Sequence, residues 1–239
     1  MNPAALPLAF GALALALASI APARLGLGAE FLVGAVGTYI AAGALIVRRA
    51  EALTKSGFGA ANAATLARLT IACLLTGYVA VLFTGFAPSA AQSTSVFGIA
   101  VAALLLDALD GWLARKTATV SAFGARFDME VDALLILILS IAAWATGKAG
   151  VWVLMSGAAR YLYVAAASVV PTLREPMVPS QRRRAIAAIQ ATILVALTSP
   201  LIAPPVSSAL AAGALALLLY SFASDMIWQF GARAARMAR

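Results

Sequence analysis

The stretch "DALDGWLARKTATVSAFGARFDMEVD", Asp107–Asp132, holds four aspartates and one glutamate in a chain with nine acidic residues among 239. Runs of Ala, Leu, Ile and Val flank it on both sides. Two apolar segments therefore meet at a short polar turn, each carrying carboxylates near that turn. Asp107, Asp110, Gly111 and Ala114 recur at i, i+3, i+4 and i+7, one face of a helix. Gly124, Asp128 and Asp132 are spaced by four and again share one face. Helices joined by so short a turn should be antiparallel neighbours, with the two acidic faces converging below a membrane surface.

The rest of the chain sets the solvent. With 63% hydrophobic residues, 11% charged residues and a mean hydropathy of +0.97, a water-soluble domain is excluded. Apolar segments read as spans at roughly 4–21, 31–47, 63–86, 96–114, 123–145, 150–170, 185–202 and 206–228. Breaks rich in Gly, Pro or charge separate them. The expected fold is all-α: a polytopic membrane helical bundle of about eight transmembrane helices. Ala21-Pro22-Ala23 resembles a signal-peptide cleavage site, but "MNPAALP" lacks a positive leader, so a span is preferred. The lone Cys73 can form no intramolecular disulfide. The absence of histidine excludes imidazole catalysis and His-ligated metals, leaving carboxylates, Arg and Lys for any chemistry.

A net charge of +8 would suit nucleic acid, yet the basic residues cluster at span ends, where membrane orientation requires them. No nucleic-acid partner is expected. Alternate loops and termini carry thirteen Lys and Arg on one side and two, Arg24 and Lys148, on the other. The first set should face the cytoplasm, with both termini and the acidic turn.

An Asp at the middle of a span costs about 2.5–3.5 kcal/mol on insertion scales. Four would approach ~10–14 kcal/mol before their repulsion is counted. Protons, arginines (Arg68, Arg115 and Arg126 are in reach) or cations would offset this. Two divalent cations would match four negative charges and accept all-oxygen ligands, which suits Mg²⁺ or Mn²⁺. Paired cations also suit displacement at phosphorus, because they stabilise both entering and leaving oxygens. A solvated cluster at headgroup level is the plainer alternative, but two same-face pairs with Gly and Ala between them argue against it. Glu130 lies off the Asp128/Asp132 face and reads as solvated or Arg-paired.

Written out, Asp107-x2-Asp110-Gly111-x2-Ala114-Arg115-x8-Gly124-x3-Asp128-x3-Asp132 resembles the signature of the CDP-alcohol phosphotransferase (phosphatidyltransferase) family, with every position filled. The resemblance implies a membrane enzyme that moves a substituted phosphate from a CDP-linked donor to an alcohol and releases CMP. It implies a six-helix core, here 61–239, and a homodimer. Residues 1–60, with two further spans, lie outside it. By the family pattern Asp107, Asp110 and Asp128 are metal ligands, while Asp132 serves the second metal and acts as general base. Asp110, Gly111, Ala114, Arg115 and Gly124 would line the CDP site. The family's N-x2-T-x2-R is matched by Asn62, Thr65 and Arg68, also donor-binding, with Ala61 where a proline often stands. Asn62 reads alternatively as a helix N-cap.

Arg160, near the middle of a span, should face a polar cavity or a partner. It is assigned to an anionic acceptor headgroup, and Arg182, Arg183 and Arg184 either to the same acceptor or to positive-inside anchoring. The expected enzyme works in phospholipid biosynthesis, using CDP-diacylglycerol as donor and an alcohol as acceptor among membrane lipids. Two rivals stay open. Intramembrane prenyltransferases pair similar acidic motifs around Mg²⁺, but far apart in sequence. A cation or proton transporter would use the acids as a relay, but nearer the midplane and in repeated halves.

Overall fold

Apolar runs of this length have one economical conformation in lipid, because a helix satisfies every backbone N–H and C=O internally. The computed structural model describes residues 5–20, 27–48, 60–117, 122–170 and 180–237; side chains at 5–7, 48, 60, 61, 110–117, 122, 123 and 229–237 lie outside the description. Among the described residues there are eight α-helices and no strand. They are α1 (Ala5–Ala18), α2 (Ala29–Arg48), α3 (Ala60–Leu82), α4 (Ala90–Thr117), α5 (Ala122–Ala145), α6 (Leu154–Val169, after a 3₁₀ turn at Val151–Val153), α7 (Gln181–Leu197) and α8 (Val206–Met237). Each corresponds to one apolar segment of the sequence. By length and composition α2, α3, α4 and α8 can each cross a membrane, and α1 has a shorter apolar stretch, Leu8–Ala18.

Helix α3 is the axis of the molecule. It buries 67% of its span, against 22% or less for α2, α4 and α8. On one side it receives the α1–α2 hairpin. There Gly77 lies so close to α2 that a Cβ would stand 2.6 Å from the carbonyl oxygen of Phe31, and one on Gly34 would stand 3.0 Å from the Thr76 carbonyl. Small residues allow this approach, and close packing supplies the cohesion that the hydrophobic effect cannot provide between helices in lipid. Tyr39 Oη donates to the Leu8 carbonyl, 2.6 Å away, and ties α1 to α2.

On its other side α3 packs along both α4 and α5, and α7 packs on the same two helices. Among the described residues α4 and α5 barely touch backbone to backbone, and neither do α3 and α7. Four helices thus form a ring, α3–α4–α7–α5. The acidic side chains of α4 and α5 meet across the ring's centre, with α3 filling the angle between them. One correction concerns Asn62. Helix α3 starts at Ala60, so Asn62 lies inside its first turn, buried, and not at the N-cap.

Candidate active site

The ring's centre is where the acids gather. Asp107 comes from α4, and Asp128 and Asp132 come from successive turns of α5. One carboxylate oxygen from each can be chosen so that all three lie within 4.8 Å of one another. The helical spacing of four fixes Asp128 above Asp132, and α4 brings Asp107 to them from the opposite side.

Arg68 of α3 reaches into the same point. Its Nη1 stands 2.9 Å from Asp107 Oδ1 and 2.7 Å from Asp128 Oδ1, and its Nη2 donates to Asp132 Oδ1. The arginine is 1% exposed, whereas the three carboxylate side chains are 38–46% exposed. A cation buried this deeply would be costly alone and is tolerated because three charge-assisted contacts surround it. Its position on α3 follows from the three-residue steps of Asn62, Thr65 and Arg68, which set all three on the buried side of the helix.

Three carboxylates and one guanidinium leave two negative charges at the centre. Arg68 uses one oxygen of each carboxylate, so the second oxygen of each can accept another ligand. An all-oxygen set, this tightly grouped and still negative, fits a hard divalent cation. Asp107, Asp128 and Asp132 are the residues that would hold it.

The other expected residues divide into groups. The side chains of Asp110, Gly111, Ala114 and Arg115 lie outside the described residues, although their backbone belongs to α4. Asn62 and Thr65 are buried beside Arg68, and Gly124 is half-buried at the first turn of α5. Arg160 of α6 stands off the carboxylate centre, with Nη2 3.1 Å from Glu130 Oε1, so Glu130 is Arg-paired. Arg182 and Arg183 both turn to α8: Arg182 donates to Ser224 Oγ (2.6 Å) and Asp225 Oδ1 (2.7 Å), and Arg183 lies 3.3 Å from Asp225 Oδ2. Arg184 is exposed. These basic residues therefore do not join the carboxylates in one cluster.

Two residues received no role in the sequence reading. Asp225 is the partner of both arginines, and its signal was an acid inside an otherwise apolar last span. Gln190 is a fully buried amide in α7. An amide side chain inside an apolar run was the mark it left in the sequence.

The model of the CDP-alcohol phosphatidyltransferase family matches residues 58–220, more than half of the chain and all of the carboxylate site. The chain belongs to this family. No curated protein and no solved structure matches the chain. The protein is accordingly an integral membrane enzyme that transfers a phosphate-bearing group from a CDP-alcohol to an acceptor. Membership also sets aside prenyl transfer and ion transport as readings of the acids. Helices α1 and α2 lie outside the matched range.

Proposed function

We propose that this phosphotransferase transfers a phosphatidyl group from CDP-diacylglycerol to an alcohol acceptor, releasing CMP, as a step of phospholipid synthesis at the cytoplasmic face of a membrane. The observation that carries the reading is the convergence of Asp107, Asp128 and Asp132 within one ring of apolar helices. A donor whose diacylglycerol is already in the bilayer can bring its pyrophosphate to a site built between spans without leaving lipid.

In this reading Asp132 takes the proton of the acceptor hydroxyl, within hydrogen-bond reach, as the oxygen attacks the β-phosphorus of the donor. The new bond joins acceptor oxygen to phosphorus; the bond from that phosphorus to the bridging oxygen breaks, and CMP departs with the electron pair. Bound at Asp107, Asp110, Asp128 and Asp132, two Mg²⁺ or Mn²⁺ ions would supply charge neutralisation for the pyrophosphate. Arg68 keeps the carboxylates gathered and, with Asn62, Thr65, Gly111, Ala114, Arg115 and Gly124, lines the nucleotide side. Most of the acceleration then comes from orientation and fixed charge. Arg160 and the 182–184 arginines draw an anionic acceptor toward the ring. The core of six helices from residue 61 carries the reaction, in a homodimer.

The test is CMP release by purified protein in mixed micelles containing CDP-diacylglycerol, Mg²⁺ and a panel of alcohols: glycerol 3-phosphate, inositol phosphate and serine. Alcohol-dependent CMP formation with a lipid product is expected. CMP release only from a water-soluble CDP-alcohol with a lipid acceptor would reverse the assignment of donor and acceptor.

A further inference from the structure

Three walls of the ring contribute charged groups to its centre: Arg68 from α3, Asp107 from α4, and Asp128 and Asp132 from α5. The fourth wall, α7, contributes a different kind of group. Its buried residues are Ile186, Gln190, Leu194, Val195 and Leu197. Gln190 falls between Ile186 and Leu194 on that stripe, at the middle of the arc turned to the protein interior. It is 3% exposed, and both its amide nitrogen and its carbonyl oxygen are buried without a hydrogen-bond partner among the described residues.

An amide carries two donor positions and two acceptor positions, and burying them unused is unfavourable. Buried polar groups in folded proteins are almost always satisfied, so a buried amide with neither end used calls for a ligand. Its depth agrees with one. Lys148 Nζ donates to the carbonyls of Ser199 (3.1 Å) and Ile202, and Ser207 Oγ donates to the Lys148 carbonyl, so the far ends of α5 and α7 lie together. Gln190 precedes Leu197 by seven residues and Asp132 precedes Ala145 by thirteen. At about 1.5 Å per residue, the level of Gln190 along the ring is therefore about two helical turns deeper than that of Asp132, on the apolar side of the acids. At and beyond its level α5 and α7 bury Ile138, Leu139, Leu194 and Leu197.

We infer that Gln190 is an acceptor-binding residue, hydrogen-bonding a neutral hydroxyl of the alcohol substrate. The assignment rests on the reading of Asp132 and the CDP donor given above. Attacking and leaving oxygens lie roughly in line across the phosphorus in such a displacement. In that reading the nucleotide side is α3 and the adjoining part of α4, and α7 stands across the ring from α3. The acceptor therefore enters between the acids and α7. A carboxamide has no net charge to offer a phosphate, but it can give and take a hydrogen bond with a hydroxyl at once. Arg160 within α6 and the arginines at the start of α7 attract an anionic group; Gln190 reads the hydroxyl-bearing part.

Gln190→Met keeps the length of the side chain and removes its hydrogen bonds. In micelles with CDP-diacylglycerol and Mg²⁺, and the most active member of the alcohol panel, the KM for the alcohol should rise about tenfold or more, as expected when a polar pocket group is lost. The KM for CDP-diacylglycerol should stay within about twofold, and the thermal midpoint of the ligand-free protein should hold or rise, because an unused buried amide has been removed. A lower midpoint, an unchanged alcohol KM, or an equal rise for donor and alcohol would overturn the role of Gln190 while leaving the proposed reaction standing. If wild-type protein releases no CMP with any alcohol in the panel, the proposed reaction fails, and the acceptor assignment fails with it.

Discussion

The two sides of α3 are held by opposite means. Toward the ring it presents Arg68, wrapped by three carboxylates; toward the α1–α2 hairpin it presents Gly77, pressed against the Phe31 carbonyl. The first side is charged, half-open and costly to assemble, and it would have no reason to exist in a purely structural bundle. The second is apolar, close-packed and made of small residues, which is how helices cohere in lipid. One helix therefore separates the face proposed to do chemistry from a close-packed face that anchors. Damage to the first should appear in turnover, and damage to the second in stability.

The sharpest break of that contrast is Asp132→Asn. The amide preserves shape but cannot accept the acceptor's proton, so turnover should fall by about 10²–10⁴-fold. Donor binding, followed as a shift of the thermal midpoint with CDP-diacylglycerol, should persist. Turnover within a few-fold of wild type would remove Asp132 from the role of base.

Arg68→Ala tests whether the ring face also contributes to stability. It leaves three carboxylates facing one another without their counter-charge, and breaking such a buried cluster costs about 3–5 kcal/mol. Because the acid side chains remain 38–46% exposed, protons and solvent should reduce that figure toward its lower end. Unfolding in detergent should show the loss, and millimolar Mg²⁺ should restore part of it. A variant insensitive to Mg²⁺ would argue against cation binding by Asp107, Asp128 and Asp132.

On the anchoring side, Gly77→Leu forces a side chain into the space held by Phe31. Overpacking of this kind costs about 1–3 kcal/mol. The thermal midpoint should drop while CMP release per folded molecule stays near wild type. A comparable loss of turnover in the folded fraction would mean that the hairpin is coupled to the carboxylates through α3, and the division between the two faces would fall.

How far the sequence announced this arrangement depends on the residue. All eight helices were legible, because an apolar run in lipid has few alternatives and Gly, Pro or charge marks each break. The meeting of Asp107 with Asp128 and Asp132 was legible from helical spacing and a short turn. The ring was not: that α3 and α7 each pack on both α4 and α5 depends on packing among helices that share the same Ala- and Leu-rich composition. Arg68 was visible as an intramembrane cation and as part of Asn62-x2-Thr65-x2-Arg68, but its triple pairing needs the three-dimensional convergence of α3, α4 and α5. Arg182 and Arg183 looked like acceptor or anchor residues because a basic run has no direction in sequence; α8 supplies Asp225 as their partner.

The smallest expected effect concerns the arginine that stands outside both faces. Arg160 and Glu130 are 36% and 53% exposed at their side chains, and an ion pair so open to solvent contributes about 0–1 kcal/mol. Glu130→Gln should therefore move the thermal midpoint little and leave turnover near wild type. Arg160→Ala should likewise be mild in stability, yet its loss removes a positive charge from the approach to the ring, so the KM for an anionic acceptor should rise severalfold while the KM for the donor holds. Glu130→Gln supplies the control: it frees Arg160 from its partner and should leave acceptor binding equal or tighter. An equal effect of Arg160→Ala on donor and acceptor would make Arg160 a general anchor for anionic lipid. The ring would then be left to select its acceptor without that arginine.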